Sequence, residues 1–135
     1  MTSSGLDIEV LGIDQLVPDA PTALEVRELC VLALASAGIE EGHMAVQFVD
    51  EDRIRVLNLE YRDKDTPTDV LSFGVDEDGE PAGPRELGDI VICPEHTTDL
   101  REAVVHGTLH LTGMDHEVDE GEMLALQSEL MRWIR

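Results

Sequence analysis

Three of the five histidines in this chain fall within one short run, His106-Gly-Thr-Leu-His110-Leu-Thr-Gly113-Met-Asp115-His116. His106 and His110 are four residues apart. On an α-helix that spacing puts them one turn apart on one face, about 40° around the axis. Two imidazoles so placed reach one metal ion. His116 lies six residues further on, where a continuing helix would carry it off that face. Gly113 stands between them, and glycine adopts the left-handed conformation that ends a helix and reverses the chain. The reversal can return His116 to the same point. Three neutral nitrogen ligands with a fourth position for water match the open coordination of a catalytic zinc. Such an ion lowers the pKa of its bound water to about 7. One Zn2+ per chain is therefore expected, although other divalent transition metals also accept nitrogen ligands. Asp115 is positioned to accept from a ligating imidazole and orient it; a solvated turn residue is the alternative.

The spacing matches the histidines and glycine of HExxHxxGxxH, the metzincin protease signature. Position 107 is glycine, where the signature carries the glutamate that acts as general base. A zincin-type metallopeptidase is thus an alternative that needs a base from elsewhere. His43 and His96 stand alone and read as surface residues. Cys30 and Cys93 lack CxxC spacing and sit in apolar surroundings, which predicts buried free thiols.

Eight elements are expected to position the cluster. Residues 6–11, 44–49, 69–75 and 88–92 read as strands. Residues 22–37 read as a helix, with Pro21 just inside its start and Gly38 just past its end. Asp50 or Asp52 caps a second helix carrying Ile54, Leu57 and Tyr61 on one stripe. Residues 99–112 form the histidine-bearing helix. A last helix, from about 120 to 134, carries Met123, Leu126, Leu130 and Ile134 at helical spacing, with Met123 and Met131 as core filler. The acidic, Gly- and Pro-rich stretch 76–85 is a loop, too short to divide domains.

At 135 residues the chain is expected to form one domain, 1–135, with a core that needs no disulfide. The formal charge of −21 excludes a broad basic grip on nucleic acid and disfavours an anionic membrane surface. Four of the nine basic residues nevertheless cluster as Arg53, Arg55, Arg62 and Lys64. Arg53 and Arg55 read as partners of neighbouring acids. The N-terminus shows no basic region followed by an apolar run, and no stretch reaches membrane-spanning length. A soluble, cytoplasmic chain without membrane contact is expected.

Three blocks carry a resemblance. The first runs from Leu57-Asn58 through Tyr61-Arg62-Asp-Lys64-Asp65 into Thr68-Asp69-Val70-Leu71-Ser72-Phe73. The second is Leu87-Gly88-Asp89-Ile90-Val91-Ile92. The third is His106-Gly107-Thr108-Leu109-His110-Leu111 through Gly113 and Asp115-His116. Together these resemble the YbeY-type ribosomal RNA maturation endoribonucleases. The resemblance implies an α+β, zincin-like domain with a small mixed β-sheet of about four strands flanked by helices. It implies a metal site from His106, His110 and His116 at the C-terminal end of a helix. It also implies cleavage of single-stranded RNA in ribosomal RNA maturation and ribosome quality control, with the small ribosomal subunit as partner and no role on DNA. Arg62 matches the arginine of the family's YR motif. A guanidinium offers a planar fork to a phosphate and stabilises the charge that develops on it; a salt bridge with a nearby acid is its alternative. Lys64 is the candidate that steers the strand, while Asp69 and Ser72 read as strand and turn support. The chain departs from the pattern in a short segment before His106, in Gly74 where proline is common, and in Met114 where tyrosine is common. A non-catalytic ribosome-associated metal-binding factor is a further alternative.

Overall fold

The computed structural model describes residues 5–12, 20–74, 86–114 and 119–133. The chain folds as β1 (Gly5–Leu11), α1 (Ala23–Ser36), β2 (Glu41–Phe48), α2 (Glu51–Arg62), β3 (Val70–Gly74), β4 (Glu86–Ile92), a short 3-10 turn (Pro94–His96), α3 (Leu100–Leu111) and α4 (Glu122–Trp133). The sheet is mixed, in the order β1-β2-β4-β3. β1 pairs parallel to β2 and β2 parallel to β4, while β3 runs antiparallel to β4 along the edge. This is the α+β architecture expected from the three blocks. The loop 76–85, Asp115, His116 and Ile134, where the expected final helix ends, lie outside the described residues.

Alternation along β4 divides the core. Ile90 and Ile92 enter the larger cluster with Val26, Leu34, Val104 and Leu109 from α1 and α3. Val91 and the following Cys93 enter a second cluster with Ile54, Leu57 and Leu71. Period-2 side-chain direction thus makes one strand serve two layers, with α1 and α3 on one face and α2 on the other. β4 is accordingly apolar on both faces, as a central strand must be. Cys30 and Cys93 are buried and free, and burial pushes the Cys30 thiol up to about 12.

Caps explain where the helices start. Thr22, Asp50 and Asp99 each accept the backbone N–H three residues on, at 3.1, 2.8 and 3.1 Å. Each satisfies a donor that the first helical turn leaves unpaired. Asp50 rather than Asp52 therefore caps α2. Pro21 precedes the Thr22 cap instead of opening the helix. β2 begins at Glu41, earlier than its apolar run, because pairing with β1 continues through Glu41 and Gly42. That pairing also takes His43 into β2, where it lies half-buried between Glu86 at 3.2 Å and Glu9 at 3.8 Å. The Glu86 carboxylate raises its pKa.

The α2 stripe departs from expectation at its end. Ile54 and Leu57 are buried, but Tyr61 is 65% exposed. Its ring lies 4.9 Å from that of Phe73 on β3, inclined at 61°. β3 is the sheet edge, so Tyr61 at the end of α2 is left largely uncovered.

Candidate active site

α3 is the element that carries the histidines, and its burial pattern orients them. Ala103, Val104, Val105, Gly107, Thr108 and Leu109 are buried, whereas His106 and His110 are half-buried on the remaining face. The two rings stand 4.8 Å apart and nearly perpendicular, at 79°. The helix ends as Gly113 predicts. Gly113 takes φ +101°, its N–H donates to His110 O at 3.0 Å, and Met114 N–H donates to Leu109 O at 3.3 Å. That pair of bonds is a Schellman stop. The same reversal presents Met114 O to His110 Nδ1 at 3.0 Å.

Gln127 of α4 plays the equivalent part for the other histidine, with its Oε1 accepting from His106 Nδ1 at 2.7 Å. A carbonyl oxygen only accepts, so Nδ1 is the donor in each pair, and in a neutral imidazole that leaves the lone pair on Nε2. Metal-ligating histidines are held in this way, by an oxygen acceptor behind the ring. The donor set therefore fits a divalent transition ion on Nε2 of His106 and His110. Among the described residues no group of three His, Cys, Asp or Glu forms a metal cluster. His116, the expected third ligand, and Asp115 lie outside them.

Gln127 was not singled out from the sequence, although a signal was present. It is four residues after Met123 and three before Leu130, the two buried residues of α4. A polar residue inside an apolar stripe needs a partner when it packs.

The histidines open into a cleft of about 840 Å³ whose walls include Arg62, Tyr61, Asp69, Ser72 and Phe73. β3 supplies one wall and the end of α2 another. Ser72 Oγ donates to Gly107 O at 3.3 Å and so ties the edge strand to α3. The Asp69 carboxylate accepts from Val70 N at 2.8 Å and from Thr68 Oγ1 at 3.3 Å, which organises the strand's entry. Both residues line the cleft while doing structural work.

Arg62 reaches the cleft from the last turn of α2. Among the described residues no carboxylate pairs with it. Arg55, by contrast, makes a two-pronged pair with Asp65, at 2.7 and 3.2 Å. The basic cluster is thus divided: one arginine is neutralised on the surface and another is turned to the cleft. Lys64 is exposed beyond the helix end, past Asp63 at φ 61°, and does not line the cleft.

Gly107 faces away from the cleft. A Cβ placed there would lie 2.7 Å from Ile90 Cγ2 and 3.2 Å from Ile90 Cδ1, in the sheet. The position that carries the protease glutamate in the metzincin signature is pressed into the core.

A family model described as Endoribonuclease YbeY matches residues 15–135. The chain is 42% identical over 133 residues to an endoribonuclease YbeY of Rubrobacter xylanophilus, covering 94% of this chain and 92% of that one. It is 40% identical over 144 residues to an endoribonuclease YbeY of Azorhizobium caulinodans, covering 93% and 91%. The fold is similar to the solution structure of TM1509 from Thermotoga maritima, with a TM-score of 0.50 and 28% identity over 91% of this chain and 85% of that one.

Proposed function

This chain belongs to the YbeY endoribonuclease family, and from that premise we propose how its cleft cuts RNA. It is a metal-dependent, hydrolytic endoribonuclease. We infer that zinc is the ion, held by His106, His110 and His116, since three neutral nitrogen donors suit it. When bound, the ion supplies positive charge and Lewis acidity at the scissile phosphate.

The chain's own residues do the rest. Gln127 and Met114 O hold the His106 and His110 imidazoles in the tautomer that presents Nε2. We propose Asp115, adjacent to His116 in the sequence, as a further acceptor for a ligating imidazole. Arg62 grips the phosphate with its planar fork and stabilises the charge that grows there during cleavage. Lys64, exposed two residues past Arg62, is the cation proposed to draw the strand toward the cleft. The observation that carries this reading is the cleft that joins an arginine without a carboxylate partner among the described residues to two oriented imidazoles.

The net charge of −21 supports delivery of the substrate by a larger partner. A net negative charge repels the phosphates of free RNA on average, so binding from solution is expected to be weak. We propose that the small ribosomal subunit presents single-stranded ribosomal RNA to the cleft, in the cytoplasm. No helix among the described residues is long and apolar enough to cross a membrane. The peptidase alternative still needs a base from elsewhere, because position 107 faces Ile90 and offers none to the site.

The test is a paired measurement on purified protein: bound metal, and cleavage of a single-stranded RNA. His110→Ala should lose both. Full metal content in His110→Ala would overturn the ligand assignment. Loss of metal with undiminished cleavage would overturn the role of the metal.

A further inference from the structure

We propose that Tyr61, propped against Phe73, is a stacking subsite for one unpaired nucleobase beside the scissile phosphate. The inference rests on the endoribonuclease reading and adds the part of the substrate that the cleft selects. The chain has four aromatic residues: one Trp, one Tyr and two Phe. Phe48 is in the core and Trp133 is at the end of α4. The other two form a pair on the cleft wall.

A single exposed aromatic is ordinary on a protein surface. The surroundings of Tyr61 are not. It is 65% exposed, yet its ring is held by an edge contact to Phe73 with centroids 4.9 Å apart. An edge contact occupies at most one face of a ring, which leaves π surface open to the cleft. The next residue is Arg62, which lines the same cleft without a carboxylate partner among the described residues. A flat apolar surface and a guanidinium on consecutive residues match a nucleotide's base and phosphate.

Stacking also suits a chain of charge −21, because it draws affinity from a base face and not from a field of cations. Every base has such a face, so the subsite tolerates sequence. In a duplex both faces are covered by neighbouring pairs. A wall that takes a splayed base therefore selects single strands.

The experiment compares a single-stranded RNA oligonucleotide with a set in which one nucleotide near the cleavage site is abasic. Metal-loaded wild type, Tyr61→Leu and Tyr61→Phe are assayed for kcat and KM, with metal content and thermal midpoint as controls. Removing the base at one flanking position should cost wild type about 5- to 150-fold in kcat/KM, the range for one base–aromatic stack. Tyr61→Leu should lose a similar factor on intact RNA, mainly through KM, and nothing further on the abasic strand. Tyr61→Phe keeps the ring and should recover most of that loss.

An abasic scan without any penalty in wild type overturns the subsite, as does a penalty that persists unchanged in Tyr61→Leu. Equal damage in Tyr61→Phe and Tyr61→Leu overturns stacking and assigns the effect to the hydroxyl. A wild-type chain that cleaves no oligonucleotide overturns the endoribonuclease reading, and this inference with it.

Discussion

Gly107→Ala adds one methyl group, yet it tests how the histidine helix is seated. The new Cβ would stand 2.7 Å from Ile90 Cγ2, 3.2 Å from Cδ1 and 3.3 Å from Cγ1. Carbon atoms prefer separations of about 3.5 Å or more, so the nearest contact must open by about 0.8 Å. Ile90 is fully buried and β-branched, with little rotamer freedom to move aside. α3 must lift instead. Overpacking of this kind costs about 1–3 kcal/mol. Replacing glycine by alanine within a helix returns about 1 kcal/mol. The net expectation is destabilisation by up to about 2 kcal/mol.

Ile90→Ala removes all three crowding carbons. On that background Gly107→Ala should stabilise by about 1 kcal/mol, because only helix propensity remains. Guanidinium denaturation of the four proteins, with m values compared, measures the coupling between the two sites. The expected coupling is about 1–3 kcal/mol. Gly107→Ala stabilising the native background by its full helix propensity would refute the packing argument. So would an identical effect of Gly107→Ala on both backgrounds.

Further outcomes follow from the site and the core. Gln127→Leu should weaken metal binding about 10- to 100-fold in a chelator competition, while Gln127→Glu, which keeps an acceptor behind His106, should weaken it less. Arg62→Ala should leave metal content intact and lower kcat by about 10²–10³, as loss of one charge-stabilising donor does. Arg101 holds the Glu25 carboxyl below its ordinary value through a two-pronged contact, with Nη2 to Oε1 at 3.0 Å. A lowered carboxylate pKa contributes stability above its unfolded value and loses it as pH falls through the folded one. The stability gap between wild type and Glu25→Gln should therefore be present at pH 7 and shrink below pH of about 4. Both side chains are partly exposed, so the gap should also shrink with added salt. Asp99→Ala removes the cap of α3 and should cost about 1 kcal/mol by denaturation.

Much of this protein is written locally. The spacing of His106 and His110 needs only the helical repeat to put both rings on one face, and Gly113 needs only its freedom at φ +101° to stop the helix behind them. Caps at Thr22, Asp50 and Asp99 act within three residues, so the helix starts could be read or narrowed to two candidates. Strand ends were less legible. β2 reaches back to Glu41 because a neighbour pairs with it, and no property of Glu41 itself announces that.

The sequence by itself determined the chemistry on offer: two imidazoles one turn apart, a glycine stop, a pocket of positive charge in an acidic chain, and the blocks that identify the family. Tertiary structure decided which groups meet. It set β4 between β2 and β3, and so brought the end of α2 with Arg62 to the histidine face of α3. It paired Arg55 with Asp65, turned Gly107 into the sheet, drew Gln127 behind His106 and left Tyr61 uncovered at the edge strand. The division has one physical cause. Periodicity, capping and φ preference are properties of contiguous residues, whereas strand order and the burial of each helix face depend on partners far away in the chain.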